Sequence, residues 1–213
     1  MGIHAKTLDF FWESVKTAGI TRLLRKQLLE LGNQEMRRSV KDKYKFESKN
    51  SKIYFLTNGS HHTSIDWNCC DGAVPIDMCK PIPLKRYINN FDIITDFGCI
   101  EHYCGIENTP KVWGGDKQMI YHWQSWKNIH DMGKVGCVYI HCVPLIGSSA
   151  KHGYFHYDLP FFVQVCKHNS YEILFLRKQM HDTLISCVFC SYVKKEDKPF
   201  APGWEVFKGW LHR

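Results

Sequence analysis

The 213-residue chain is predicted to be an α/β protein built on one open, mostly parallel sheet with helices on both faces. Short apolar, β-branched runs alternate with stretches of helical periodicity along most of its length. The clearest run, Phe91 to Thr95, is too short for a helix and apolar enough for a buried strand. Acids stand at the ends of successive strands, which collects them on the carboxyl edge of the sheet, where open α/β folds bind ligands.

Taken in order, Leu8 to Ala18 carries apolar residues at helical spacing and stops at Gly19, a C-cap residue. Ile20 to Lys26 reads as a second short helix. Gln27-Leu28-Leu29-Glu30-Leu31 is an apolar strand closed by Gly32-Asn33-Gln34, and helix-forming residues run from Glu35 to about Phe46. A strand, a glycine turn and a helix N-terminus make a nucleotide cradle. One glycine stands here where the usual fingerprint has three, so a helix running through Leu28 to Leu31 is the competing reading.

Ile53 to Leu56 and His62 to Trp67 flank the turn dipeptide Asn58-Gly59, and the second run is a short strand ending at Asp66. Asp71 to Asp77 is expected to be a turn and a third strand with its own terminal acid, placed at an edge by Pro75. The fourth strand, from Phe91, ends at Asp96-Phe97-Gly98 and presents Glu101-His102.

Gln118 to Lys134 reads as a helix with Ile120, Trp123, Trp126, Lys127 and His130 on one face, aromatics better explained as core than as a cofactor box. Gly136 is expected to close it before a fifth strand, Cys137 to Val143. The loop 147–157 bears His152 and His156. Asp158 caps a helix that has Pro160 near its start and runs to about His168. Tyr171 to Leu176 and Thr183 to Val193 read as two paired strands, and the Pro/Gly-punctuated tail as a loop. One domain over 1–213 results: a helical cap (1–25), the α/β core (26–195) and a tail (196–213).

Apolar residues at 44% and charged residues at 23% are ordinary for a globular protein. No apolar run approaches the ~18 residues of a membrane span. Met1 to Lys6 has no apolar signal core, which points to the cytoplasm or to a domain of a longer protein. The +7 net charge is spread out, densest over Arg22, Arg25, Lys26, Arg37, Arg38, Lys41, Lys43 and Lys45. A solvated helical face explains it, with an anionic partner as the alternative. Of ten cysteines, only Cys187 and Cys190 form a C-x-x-C, inside a strand-like run that puts them on opposite faces. Cys69 and Cys70 are adjacent. Reduced thiols are expected, and no metal is assigned.

With these residues in view, the chain resembles the class I S-adenosylmethionine-dependent methyltransferases over about residues 26–180. L-E-L-G-N-Q resembles motif I, S-I-D-W the ribose-binding acid, D-G-A-V-P-I-D-M the adenine-side segment and F-D-I-I-T-D-F-G-C-I-E-H the strand after the cofactor. The resemblance implies a Rossmann-like fold with an antiparallel last strand and S-adenosyl-L-methionine as cofactor. It implies cofactor contacts at Glu30, Gly32, Asn33, Gln34, Asp66, Trp67, Asp77, Met78, Phe97, Gly98 and Glu101. Gly32 to Asp66 is longer than in that family, which implies an inserted loop or helical turn. A narrower likeness, to the C-terminal methyltransferase domain of chlorovirus glycan-building proteins, implies a sugar hydroxyl, a terminal rhamnose, as acceptor and glycosyltransferase domains as partners.

Methyl transfer to oxygen needs alignment and removal of a proton, the second a task for histidine near neutral pH. His102, His152 and His156 are the candidate bases, with Asp96 or Glu101 to orient one. Two other classes compete: a non-catalytic cofactor- or partner-binding module, favoured by the thin motif I, and a nucleic-acid methyltransferase, favoured by charge but lacking an N-P-P-Y-type signature.

Overall fold

Strand β3 (Phe91–Phe97) lies near the middle of a six-stranded sheet, between β1 (Gln27–Leu31) and β4 (Gly133–Pro144). This computed structural model describes residues 2–83, 85–103, 116–148, 153–180, 185–201 and 203–211. With β2 (His61–Ile65), β5 (Tyr171–Met180) and β6 (Ser186–Lys194), the strand order is β2-β1-β3-β4-β6-β5. β2, β1, β3 and β4 pair in parallel, while β6 runs antiparallel to both β4 and β5.

Because the sheet is covered on both faces, alternate residues of one strand feed two different cores. Leu29, Leu31, Ile94, Tyr139 and Tyr192 pack against α4 (Asp116–Met132), α5 (Leu159–His168) and α6 (Trp204–Lys208) through Trp126, Phe161 and Phe207. Leu28, Ile93, Ile140 and Phe189 face α1 (Ala5–Thr17), α2 (Arg38–Tyr44) and α3 (Ser51–Thr57) through Phe10, Phe11, Val40 and Phe55. Cys187 joins the second core and Cys190 the first, the opposite facing that strand alternation requires. The nine described cysteines are free thiols.

Several elements differ from expectation. Residues 20–26 are not helical. The helix expected from Glu35 begins only at Arg38, because Glu35 and Met36 first bridge to Asn50 and Ile3. Ile53 to Leu56 lies in α3, whose N-cap Asn50 accepts from the Lys52 N–H. Thus two short helices fill the long interval between β1 and β2. The segment expected as a third strand makes only one bridge, Ile65 to Val74. Val74 alone pairs with the end of β2, its N–H donating to the Ser64 carbonyl at 2.8 Å, and just beyond the segment Asn128 Nδ2 of α4 donates to the carbonyls of Met78 and Lys80 at 2.8 and 2.7 Å.

α4 buries Trp126 and His130 of the expected face, with Trp123 packed against the same core, but its inward surface is wider than that set. Ile120 is 40% exposed, while His122, Ser125, Asn128 and His130 are buried. Their polarity hides them in a hydrophobic pattern, but each is hydrogen-bonded inside. Gly136 does not close this helix; α4 runs directly into β4 at Gly133. The tail forms the short helix α6. The Asp158 cap is present, its Oδ1 accepting from the Phe161 N–H at 2.8 Å. No helix among the described residues is long and apolar enough to cross a membrane.

Candidate cofactor cleft at the carboxyl edge

β1, β2 and β3 end side by side, and the segments that follow β2 and β3 line a cleft of about 320 Å³, while Glu30, Gly32, Asn33 and Gln34 after β1 are not among its lining residues. Asp66, Trp67, Asp77, Met78 and His102, placed on three separate segments by sequence, all line it. Ile65, Ile76, Cys79, Cys99 and Tyr103 complete the wall and floor. Two carboxylates and no lysine or arginine line the described cleft, which suits a ligand carrying positive charge.

Asp66 anchors the edge. Its Oδ2 accepts from the Asn33 N–H at 2.7 Å and its Oδ1 from the Asn68 N–H at 3.0 Å. Each oxygen keeps a further acceptor site for a hydroxyl. The motif I turn is thereby fastened to the acid of the neighbouring strand. Gly32 has φ +79°, and a Cβ there would stand 2.7 Å from Cys99 Sγ and 2.8 Å from Gln34 Nε2. At Gly32 the turn meets the β3 loop too closely for any side chain. Asn33 Nδ2 donates to Asp71 Oδ2 at 3.0 Å, closing the turn over the loop after Asp66.

Beneath the turn, Glu30 is fully buried and accepts at Oε2 from Ser51 Oγ at 2.7 Å, with His62 Nε2 at 3.2 Å. Glu30 Oε1, Asn33 Oδ1 and Gln34 Oε1 have no hydrogen-bond partner. Three orphaned acceptors within five residues call for a donor-rich ligand group. A methionine α-ammonium fits that description, and Asp66 and Trp67 fit a ribose and its base. The cleft therefore suits S-adenosylmethionine.

After β3, Asp96 is fully buried and does not line the cleft. Its Oδ1 accepts from the N–H groups of Cys99 and Ile100 at 3.0 and 3.1 Å, and its Oδ2 lies 3.0 Å from His141 Nδ1. Phe97 points into the α1 core, so of the Phe97-Gly98 pair only the Gly98 turn, at φ +79°, shapes the edge. Burial pushes the Cys99 thiol and the Tyr103 phenol upward, helped by the Asp96 carboxylate, and Tyr103 Oη donates to Cys99 Sγ at 3.4 Å. Both floor groups stay protonated at neutral pH.

Glu101 is buried, 3.8 Å from His102 Nε2, whose side chain is 42% exposed. The Glu101 carbonyl accepts from the N–H groups of Tyr154 and Phe155 at 2.8 and 3.2 Å. A Cβ on Gly153 would meet Glu101 Cγ at 2.6 Å, so glycine is needed for this approach. The loop after β4 is thus stitched to the segment bearing His102, and the Tyr154 ring stands edge-on to His102 at 6.1 Å. His156 lies on that stitched segment. His152 lies outside the described residues.

His122 was absent from the sequence candidates, and no spacing signal marks it. Trp126 Nε1 can only donate, and it lies 3.2 Å from His122 Nε2, so Nε2 is bare and Nδ1–H donates to the Tyr103 carbonyl at 3.1 Å. Tyr157 Oη also reaches Nε2, at 2.8 Å, and Phe155 stacks on the ring at 3.7 Å. Burial lowers this imidazole to about 3, which keeps it neutral. It joins the β3 segment, α4 and the β4 loop.

No family profile matches the sequence, and no curated protein matches it. Solved structures do. The N-methyltransferase NodS from Bradyrhizobium japonicum WM9 superposes with a TM-score of 0.58 at 11% identity, covering 90% of this chain and 95% of that one. The 1,6-didemethyltoxoflavin-N1-methyltransferase of Burkholderia thailandensis, solved with S-adenosylhomocysteine, gives 0.56 at 13% identity over 91% and 80%. A putative S-adenosylmethionine-dependent methyltransferase from Listeria monocytogenes gives 0.56 at 11% identity over 90% and 99%. The chain has the Rossmann-like fold of the class I methyltransferases.

Proposed function

We propose that the chain is an S-adenosylmethionine-dependent O-methyltransferase. The observation that carries this reading is the convergence of Asp66, Trp67, Asp77, Met78 and His102 on one cleft, above a turn with orphaned acceptors. When bound, the cofactor supplies an electrophilic methyl group. Asp66 accepts from ribose hydroxyls, Met78 and Ile76 cover the base, and the neutral Cys99–Tyr103 floor offers no competing nucleophile. His102 takes the acceptor proton, with the buried Glu101 carboxylate beside it to favour the imidazolium that forms.

The acceptor we propose is a sugar hydroxyl of a glycan, a terminal rhamnose, with glycosyltransferase domains as working partners and the cytoplasm as location. The narrower resemblance supports it, and so does the exposed Tyr154 ring beside His102, a flat apolar surface for a sugar ring. Calorimetry with S-adenosylmethionine followed by methyl-transfer assays on rhamnose-terminated glycan and on RNA tests the reading. Binding with glycan methylation supports it. Binding without transfer to either favours a non-catalytic module, and transfer to RNA alone favours a nucleic-acid enzyme.

A further inference from the structure

We infer that His62 is a positioning residue that holds Glu30 so that carboxylate oxygen Oε1 is presented to the ammonium group of the cofactor. The inference rests on the methyl-donor reading above and adds a residue outside the cleft lining. In the parallel pairing of β1 with β2, Glu30 stands opposite Ser64 and Leu28 opposite His62. Glu30, His62 and Ser64 therefore share one face of the sheet. The Glu30 and His62 side chains are both 0% exposed.

With Glu30 as a carboxylate, Oε2 can only accept, so the hydrogen of the His62 ring sits on Nε2. The ring plane is set by Phe55, stacked at 5.6 Å and inclined by 8°. Ser51 Oγ is the second donor to the same oxygen. Two donors on Oε2 and none on Oε1 is an uneven use of a buried carboxylate. Turning the carboxylate to satisfy Oε1 from the same two donors would only exchange the oxygens' roles. One oxygen is left without a donor, and the Ser64 hydroxyl on the same face is left without a partner.

The kind of ligand follows from its neighbours. Asn33 Oδ1 and Gln34 Oε1, on the turn after Glu30, also lack donors. With His62 Nδ1 they form a set of acceptors, joined by the Ser64 hydroxyl, which can donate or accept, and a set weighted this way suits a group with several N–H donors and a positive charge better than phosphate or carboxylate.

The test compares binding of two probes by calorimetry. S-adenosylhomocysteine carries the amino-acid ammonium, whereas 5′-methylthioadenosine shares the adenosine and thioether without it. His62→Phe is expected to weaken S-adenosylhomocysteine at least tenfold and to leave methylthioadenosine within twofold. His62→Gln, whose amide N–H can replace Nε2, should recover most of the loss. Ser51→Ala should act in the same selective direction, and it carries the test if His62→Phe does not fold. Equal loss of both probes, or unchanged S-adenosylhomocysteine binding in folded variants, overturns the role of His62. A wild-type chain that binds neither probe overturns the methyl-donor reading and this inference with it.

Discussion

His141 Nδ1 lies 3.0 Å from Asp96 Oδ2, and both side chains are sealed between the sheet and α4. The carboxylate accepts, so Nδ1 carries the hydrogen and Nε2 is left to accept from Tyr192 Oη at 2.9 Å. Trp126 and Tyr192 stack on the two sides of the ring, at 5.1 and 5.5 Å. The residue orienting a histidine is thus Asp96, as the sequence suggested, but that histidine is a core residue on β4. Asp96 acts on the cleft indirectly, by turning the chain at Cys99 and Ile100 toward Glu101 and His102.

Asp96→Ala should therefore read out as stability. Removing one partner of a buried hydrogen-bonded pair costs about 3–5 kcal/mol, a fall in Tm on the order of 10 °C for a chain of this size. Differential scanning calorimetry checks it. A variant that melts like the wild type but has lost turnover would return Asp96 to the reacting groups.

Asp66→Ala should lower the affinity for S-adenosylhomocysteine more than tenfold. Hydrogen bonds to a charged acceptor are worth ~1.5–3 kcal/mol each, and this carboxylate also fastens the Asn33 turn. Titration calorimetry on the folded variant measures it. Unchanged affinity would remove Asp66 from the ribose site.

His102→Ala is expected to reduce turnover by about two to four powers of ten while cofactor affinity changes little. The contacts proposed for ribose and base lie on another segment, after β2. The alkaline-rising limb of the wild-type pH–rate profile should vanish in the variant. Near-normal turnover with weak cofactor binding would make His102 a cofactor contact and direct attention to His156.

The buried histidines make stability depend on pH. Burial depresses His122 from the ordinary 6.5 to about 3, and burial with the nearby Lys194 charge depresses His130 to about 4. Between those values and 6.5 the unfolded chain binds more protons than the folded one, so stability rises with pH through that window. The contribution is complete above 6.5 and is lost as pH falls toward 3. Tm measured from pH 7 to pH 4 should decline. His122→Gln should melt lower at pH 7 and show a shallower decline; an identical slope would contradict the assignment.

How much was legible follows from which forces act locally. The run Phe91 to Thr95 declares itself as a buried strand because both of its faces are largely apolar, whereas Gln27–Leu31 could also be read as helix until its parallel pairing with β2 and β3 made it a strand. Asp158 with Pro160 marks a helix start because a cap satisfies backbone N–H groups a few residues away. The acid at the end of β2 could be placed because strand ends in a parallel sheet share one edge. The buried face of α4 could be read only in part: Trp126 and His130 are buried as their spacing suggests, but His122 and Asn128 look like surface residues until their partners from other segments are known.

By itself the sequence determined the strand–helix alternation, the edge at which Asp66, Asp77 and His102 gather, and the opposite facing of Cys187 and Cys190. Each rests on periodicity or on residue chemistry within a few positions. Only the tertiary structure decided that Asp96 pairs with His141, that Glu30 pairs with His62, and that the 153–157 loop is stitched to Glu101. It also reduced the expected strand after Asp71 to one bridge at Val74, with the chain just beyond it held by Asn128 of α4. Those choices match a buried polar group to a partner tens of residues away, and the free energy of that match exists only once the surrounding packing has excluded water.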